Sequence, residues 1–411
     1  MRPVTEQLDA KSIKIVKSTV PVLAEHGEAI TKNFYKKMFE DHPELLNVFN
    51  QTNQKQGSQP KALANTIYAA AQYIDNLEAI IPVVKQIAHK HRSLQIKPEQ
   101  YPIVGKYLLL AIKEVLGDAA TDDIIYAWGK AYAVIAAVFI QVEKEMYEEA
   151  SAQKGGWDGF REFIVTNKVR ESDVITSFYL KSKDGKEIAN FIPGQYISIR
   201  CTVNGEEHTQ IRQYSLSDAP ERGYYRISTK RETARGDIPD GMVSNYLHDH
   251  VNEGDVVEIT APAGDFVLDL NLSKPVVLLS GGVGLTPMIS MLNTLVDKQP
   301  ERNVTFIHAA INSQFHAMHD HVKHLANNNE NVNYYVCYEK PTDEDRSNHQ
   351  FHKEGYIDLN WLKSILQNND AIFYFCGPLP FMRTVKQALI DWNIPEENFH
   401  FEFFGPAGQL D

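Results

Sequence analysis

Two histidines stand two apart in Ile87-Ala88-His89-Lys90-His91, and only His91 shares a face with apolar residues. Ile80, Val84, Ile87, His91 and Leu94 follow at steps of four, three, four and three, which keeps their side chains on one side of a helix. His89 lies about 200° around from His91, beside Lys85 and Gln86. An imidazole on an apolar face is either a hydrogen-bonded core residue or a metal ligand. A second anomaly lies downstream, where Trp128, Tyr132, Ile135 and Phe139 form one face and Glu143 extends it. A carboxylate there is costly unless paired. Either the helix end is already solvated, since Glu145, Glu148 and Glu149 follow, or Glu143 has a buried partner.

Three further stretches carry chemistry. In Ile211-Arg212-Gln213-Tyr214-Ser215-Leu216, strand alternation places Arg212 and Tyr214 on one face. Arginine offers a planar charged fork for a pyrophosphate, tyrosine a flat surface for an isoalloxazine ring, and serine a hydroxyl for a ring nitrogen. The other reading is a surface strand with one arginine. Gly241-Met242-Val243-Ser244-Asn245 puts Val243 and Ser244 at a helix start, where backbone N–H groups bind phosphate. The apolar Pro275–Ser280 runs into Gly281-Gly282-Val283-Gly284-Leu285-Thr286-Pro287, a strand, glycine turn and helix start that make a phosphate cradle. The next strand ends His308-Ala309-Ala310 without an acid for a ribose, which leaves NADH and NADPH both open.

The elements that must position these residues change character along the chain. Residues 1–148 read as six or more helices, a bundle or a globin; Thr121, with Asp122 and Asp123 behind it, is a start for a helix running to about Glu149. Ser151–Gly156 reads as a linker. Short segments such as Phe163–Val165, Tyr196–Arg200 and Tyr224–Ser228, parted by Gly, Asp and Pro, predict an antiparallel barrel or sandwich. From about residue 274, strands at Pro275–Ser280, Val304–Ala309 and Ala371–Cys376 alternate with helical stretches, which implies a parallel sheet.

A net charge of −12 argues against binding nucleic acid or anionic membrane. Cys201, Cys337 and Cys376 are odd in number and scattered, so a reducing compartment fits. Met1–Ile13 has no apolar core, and the run Ala131–Ile140 is short of the roughly 20 residues that span a bilayer. The expectation is a cytoplasmic protein without membrane insertion.

Taken in order, these stretches resemble the bacterial flavohaemoglobins along nearly the whole chain. The helical part matches at Asn33-Phe34-Tyr35, His42-Pro43-Glu44-Leu45, Phe49-Asn50, Ile87–His91, Ile96–Tyr101 and Ala127–Tyr132. The rest resembles the ferredoxin–NADP reductase family at Pro193-Gly194-Gln195-Tyr196, Arg212–Ser215, Gly241–Leu247, Ala261–Phe266, the glycine turn, Phe375-Cys376-Gly377-Pro378 and Glu402-Phe403-Phe404-Gly405-Pro406. The resemblance implies a globin domain at 1–148, a linker at 149–156, an FAD-binding β-barrel at 157–268 and an α/β NAD(P)-binding domain at 273–411. It implies haem b held by His91, with Glu143 and Tyr101 hydrogen-bonding around it. Tyr35, Gln59 and Leu63 would lie on the distal side, with Phe49 packing on the porphyrin and Lys90 beside the ligand. Pro60 after Gln59 requires that helix to start near Gln59 or bend.

In the same way Arg212 would hold the flavin diphosphate, Tyr214 and Tyr196 would flank the ring, and Gln213 and Ser215 would contact the cofactor. Gly282 to Pro287 would cradle NADH or NADPH. Phe403, Phe404, Gly405, Pro406 and Ala407 would cover the flavin. Glu232–Asp240 is a longer loop than the family usually has. The implied activity is nitric oxide dioxygenation: nitric oxide and dioxygen become nitrate, with one nicotinamide serving two turnovers in a monomer. The alternatives are peroxide or nitric oxide reduction, or an oxygen sensor or store with an attached reductase.

Overall fold

A computed structural model describes residues 8–49, 57–234, 236 and 239–404. The chain divides into two compact units. Among the described residues, one holds the chain to Ala152 together with Arg200–Arg212, and the other holds Gln153–Ile199 and 213–404.

The first unit is built on α1 (Ala10–Ser18), α2 (Val20–Asp41), α3 (Ser58–Gln72), α4 (Ile81–Leu94), α5 (Tyr101–Leu116) and α6 (Asp122–Ala152). Their starts follow local chemistry. The Asp9 side chain accepts from Ser12 N; α2, α4 and α5 begin with proline at the first or second position, where its missing N–H costs nothing. α3 starts at Ser58, so Pro60 falls in its first turn and no bend is needed. α6 runs three residues past Glu149 and takes in Ser151 and Ala152. The first half of the expected linker is therefore helix; the chain turns just past its end, at Gly155, whose φ is +73°.

The core of this unit gathers Ile30, Phe34, Met38, Tyr107, Leu108, Ala111 and Trp128. Trp128 Nε1 donates to Thr19 Oγ1 at 3.2 Å in the interior. Gly105 lets α5 and α6 close: a Cβ there would stand 2.5 Å from the Tyr132 ring. Tyr132 OH in turn donates to Tyr101 O at 2.7 Å. α6 is the one described helix long and apolar enough to cross a membrane by length and composition. Its Ala127, Trp128 and Ala131 are core residues of this unit, and it carries the buried Glu143. Thr209 N donates to Asn47 Oδ1 at 2.9 Å, one bond that groups the 200–212 segment with the helices.

A six-stranded sheet in the order β4-β3-β6-β1-β2-β5 follows: β1 (Arg161–Arg170), β2 (Ile175–Ser182), β3 (Tyr196–Cys201), β4 (Gln210–Ser215), β5 (Tyr225–Lys230) and β6 (Val256–Ile259), with α7 (Met242–His250) between the last two. β1 pairs antiparallel with β2 and β6, and β2 with β5. The two end strands meet where Leu216 bridges Ile227 and Ser217 N donates to Arg226 O at 2.8 Å. That contact closes the sheet into a barrel.

Next comes a parallel sheet in the order β10-β9-β8-β7-β11-β12, made of β7 (Val276–Gly281), β8 (Val304–Ala310), β9 (Val332–Tyr338), β10 (Lys353–Glu354), β11 (Ile372–Cys376) and β12 (Phe399–Glu402). Its helices are α8 (Leu285–Lys298), α9 (His319–Asn328), α10 (Asp343–Ser347), α11 (Leu359–Ile365) and α12 (Leu379–Asp391). Residues alternate between two cores. Val276 and Leu278 pack with Met288, Leu292 and Val322, and Val277 and Leu279 with Leu362, Met382 and Leu389. Burial on both faces explains why β7 reads as an unbroken apolar run. The chain leaves β7 for β8 on one side and later returns to β11 on the other, a switch point whose crevice is where such sheets bind ligands.

Candidate functional site

In the helical unit, α4, α5 and α6 bring three of the selected side chains to one point. His91 Nδ1 lies 2.7 Å from Glu143 Oε1, Tyr101 OH donates to the same oxygen at 2.6 Å, and Tyr101 OH stands 3.3 Å from His91 Nδ1. Glu143 is only 2% exposed; because α6 continues to Ala152, the position is not a solvated helix end. A carboxylate only accepts, so the imidazole proton sits on Nδ1 and the lone pair on Nε2. Burial first, then the Glu143 carboxylate, push the Tyr101 phenol well above its ordinary pKa, so it remains a donor.

The surroundings hold this cluster in register. Gln95 takes a left-handed conformation after α4, and Ile96 N turns back to His91 O at 3.0 Å. Tyr147 OH donates to Ile96 O at 2.8 Å. The Phe139 ring stands 5.9 Å from His91 and 6.4 Å from Tyr101. Tyr147 escaped the sequence reading, although it sits four residues beyond Glu143 on the same helix and the same spacing pointed to it. Arg92 and Ser93, both buried, also escaped it, because no spacing rule separates a buried arginine from a solvated one.

Tyr35 is buried at 7% exposure. Its ring lies 5.7 Å from Phe39 and 5.7 Å from Phe49, with Phe39 and Phe49 5.3 Å apart. Gln59 and Leu63 are half-buried on α3 and Lys90 is exposed on α4. Among the described residues no group of three or more His, Cys, Asp or Glu is arranged to hold a metal ion. An ion bound at the single imidazole of His91 would thus need a ligand frame from outside the protein, and aromatic and apolar walls of the Tyr35–Phe49 kind suit a porphyrin.

On the barrel, Arg212 donates to Ile211 O at 2.8 Å and Gln210 Oε1 at 3.4 Å. Arg212, Gln213 and Tyr214 are all half-buried and Ser215 is buried. Burial along β4 does not alternate with the side chains. Gln213 Nε2 donates to Ser198 Oγ at 3.2 Å. Tyr196 pairs with Ala263 through N–H···O bonds of 2.9 and 2.8 Å. A Cβ on Gly264, at φ +115°, would meet the Tyr196 ring at 3.0 Å. The stretches at 193–196 and 261–266 are therefore one structural feature. Ser244 Oγ accepts from Glu232 N at 3.2 Å and donates to Gly241 O at 3.0 Å, which ties the start of α7 to the Glu232–Asp240 loop.

At the crevice of the parallel sheet, the glycine turn lies against the end of β11. A Cβ on Gly284 would stand 2.2 Å from Cys376 O and 2.7 Å from Gly377 N, whereas one on Gly282, at φ +53°, would meet nothing within 4 Å. The turn is closed toward the protein and open on its outer side, as a phosphate cradle must be. Val283 is half-buried, and Leu285, Thr286 and Pro287 are buried in the first turn of α8. β12 leads out past Cys376, paired with Glu402; Phe403 is half-buried and Phe404 exposed. Gly405, Pro406 and Ala407 lie outside the described residues.

Comparison with known proteins gives these features a common frame. Residues 32–139 match a globin family model, 162–268 an oxidoreductase FAD-binding domain and 278–387 an oxidoreductase NAD-binding domain. This combination defines a globin-coupled flavin reductase. A flavohemoprotein of Halalkalibacterium halodurans is 64% identical over 99% of both chains. The chain belongs to the flavohemoprotein family. The crystal structure of a Malassezia yamatoensis flavohemoglobin with bound FAD and heme covers 97% of this chain and 100% of its own, at TM-score 0.83 and 27% identity. The FAD/NAD-binding domain of a Vibrio cholerae nitric oxide dioxygenase covers 60% of this chain and 99% of its own, at TM-score 0.55 and 39% identity.

Proposed function

We infer that this protein is a nitric oxide dioxygenase that takes electrons from NADH or NADPH through FAD to haem b. Nitric oxide, dioxygen and one electron make nitrate, so a two-electron hydride donor supports two turnovers. Bound haem would supply the redox iron and the dioxygen site, FAD the exchange of two electrons for single ones, and the nicotinamide the hydride.

The observation that carries the reading is the pair of hydrogen bonds that His91 and Tyr101 make to Glu143 Oε1. A carboxylate accepting from the far nitrogen of a ligating imidazole makes it more basic, and electron-rich axial ligation favours activating dioxygen over storing it. His91 would hold the haem iron through Nε2, Glu143 and Tyr101 would orient its ring, and Tyr35 would offer a hydroxyl donor to the dioxygen site. Phe49, Gln59 and Leu63 would line that pocket, with Lys90 at its edge. Arg212, Gln213, Tyr214, Ser215 and Tyr196 would hold FAD, with Phe403 and Phe404 at its exposed side. Gly282, Val283, Gly284, Leu285, Thr286 and Pro287 would cradle the nicotinamide cofactor's phosphates. The three cysteines, all free and buried, support a reducing, cytoplasmic setting, and the presence of all three modules on one chain supports a monomer.

The test is NADH-dependent nitric oxide consumption by the purified holoenzyme, with and without dioxygen. Nitrate should form only with dioxygen, at two per NADH, and Tyr35→Phe should slow it about a hundred-fold, the usual cost of losing one donor to developing negative charge. Equal rates without dioxygen would point to a reductase instead.

A further inference from the structure

Three residues past Ser215 the chain reaches Asp218, a carboxylate with 8% exposure that none of the site stretches includes. Its Oδ1 accepts from Asn293 Nδ2 at 2.8 Å and from Ala219 N at 2.8 Å. Its Oδ2 accepts from Tyr224 OH at 2.8 Å and lies 3.6 Å from Arg226 Nη1. Its main-chain oxygen accepts from Ser290 Oγ at 2.7 Å. Burial by itself would raise this carboxyl, but Arg226 and the hydrogen bonds from Tyr224, Asn293 and Ala219 outweigh it and hold it below the ordinary aspartate value. Asp218 is charged and satisfied.

Its partners lie on two elements with different tasks. The 215–218 segment belongs to the barrel: Leu216 bridges Ile227, and Arg226, itself 8% exposed, donates from Nη2 to Ser217 O. Ser290 and Asn293 belong to α8, whose first turn continues the Gly282–Gly284 loop. Eleven successive residues of α8, Leu285 to Leu295, are buried, and most of that contact is apolar. Apolar packing is non-directional and fixes neither the rotation nor the axial position of a helix tightly. The bonds to Ser290 and Asn293 do. Asn293 Oδ1 also accepts from His321 Nε2 at 2.8 Å, carrying the polar chain on to α9. A cavity of about 300 Å³ opens beside it, lined by Arg222, Tyr224, Arg226, Asn293, Val296 and His321, so the link is not backed by continuous packing. A buried ion pair adds little net stability, and setting register is its best attested use.

We propose that Asp218 is a positioning residue for hydride transfer: it ties the end of the flavin-motif strand to the helix that carries the nucleotide turn. The inference rests on reading that turn as the nicotinamide cofactor's site. The bonds of Asp218 all run to protein groups, so it acts through the helix it holds. It sets how closely the donor carbon approaches the flavin, while the glycine turn sets affinity.

The test uses holoenzyme with both cofactors loaded. Anaerobic stopped-flow measures flavin reduction by NADH, equilibrium titration measures NAD+ affinity, and amide hydrogen exchange reports on residues 282–286 with NAD+ bound. In Asp218→Ala, flavin reduction should slow about ten- to a hundred-fold, the known cost of misplacement by about 1 Å, with NAD+ affinity within about two-fold and faster exchange at the turn. Ser290→Ala should show a smaller loss and Ser290→Thr, which keeps the hydroxyl, should restore the rate. The Ser290 pair decides alone if Asp218→Ala does not fold. Wild-type reduction rates in both alanine variants overturn the proposal, as does a rate loss matched by an equal loss of NAD+ affinity. A wild-type holoenzyme whose flavin NADH does not reduce overturns instead the functional reading beneath it.

Discussion

Glu143 Oε1 serves two donors at once, and both side chains are half-buried. Removing it leaves a half-buried imidazole N–H and a half-buried phenol without their acceptor; a fully buried donor left unpaired costs about 1–3 kcal/mol, and partial exposure lowers that. Glu143→Ala should therefore lower unfolding stability by about 1–3 kcal/mol and aerobic nitrate formation by about 10- to 100-fold, the usual range for a partner of a metal-bound histidine. Tyr101→Phe leaves the His91–Glu143 bond in place and should cost far less on both counts. Chemical denaturation and initial rates on the same preparations check the order; equal losses in the two variants would contradict it. The stripe of Trp128, Tyr132, Ile135 and Phe139 made Glu143 visible in the sequence. What it could not supply was burial, because three more glutamates follow within six residues and mimic a solvated end. Asp218 was invisible for the opposite reason. It sits in a loop, where no periodicity marks the inside.

Among the elements, the strand–turn–helix of the nucleotide site was the most legible, since a fully buried parallel strand must read as a continuous apolar run. The sequence placed Pro275–Ser280 one residue early, against Val276–Gly281 in the structure. The closure of the barrel was not legible: it depends on Leu216 meeting Ile227, and pairing between distant segments has no local signature. Nor was the division of labour between glycines. Gly284→Ala must drive its new methyl into Cys376 O and Gly377 N, backbone atoms that cannot move aside, whereas Gly282→Ala faces open space. The Gly282 change bears only the left-handed backbone penalty, roughly 1–2 kcal/mol. Gly284→Ala should abolish flavin reduction at ordinary NADH concentrations and lower the melting temperature. Gly282→Ala should keep the fold and weaken nucleotide binding at the open side. NAD+ titration with thermal melting tests the pair; equal melting temperatures would show that the turn is not clamped as described.

At the scale of the whole molecule, the two units differ in how they should answer to acid. The parallel-sheet layer buries His308 and His316 in its interior, their rings 4.4 Å apart. His308 Nδ1 lies 2.8 Å from Ser280 Oγ, at the end of the strand that feeds the glycine turn. His316 is flanked by the hydroxyls of Tyr338 and Tyr334, each at 2.9 Å, and Tyr334 OH also lies 3.0 Å from His319 Nδ1. None of these neighbours is a carboxylate that could accept a new proton's charge. Burial, with His319 nearby, pushes His308 down to about 3, and His316 falls well below its ordinary value for the same reason. The folded-state value lies below the unfolded one, so between about pH 6.5 and 3 the unfolded chain binds the extra proton. Stability is then full above the unfolded value of roughly 6.5 and drains as the pH falls. One such histidine removes about 2 kcal/mol by pH 5 at 1.36 kcal/mol per pH unit. Acidification from pH 7.5 to 5 should thus loosen the reductase layer first, seen as flavin release at lower urea while haem absorbance holds. His308→Leu should flatten this pH dependence by about one proton while lowering stability at pH 7.5, because the Ser280 hydroxyl loses its shorter bond and keeps only the one to Ile307 O at 3.4 Å. An unchanged slope in that variant would mean that the imidazole already takes up its proton in the folded protein.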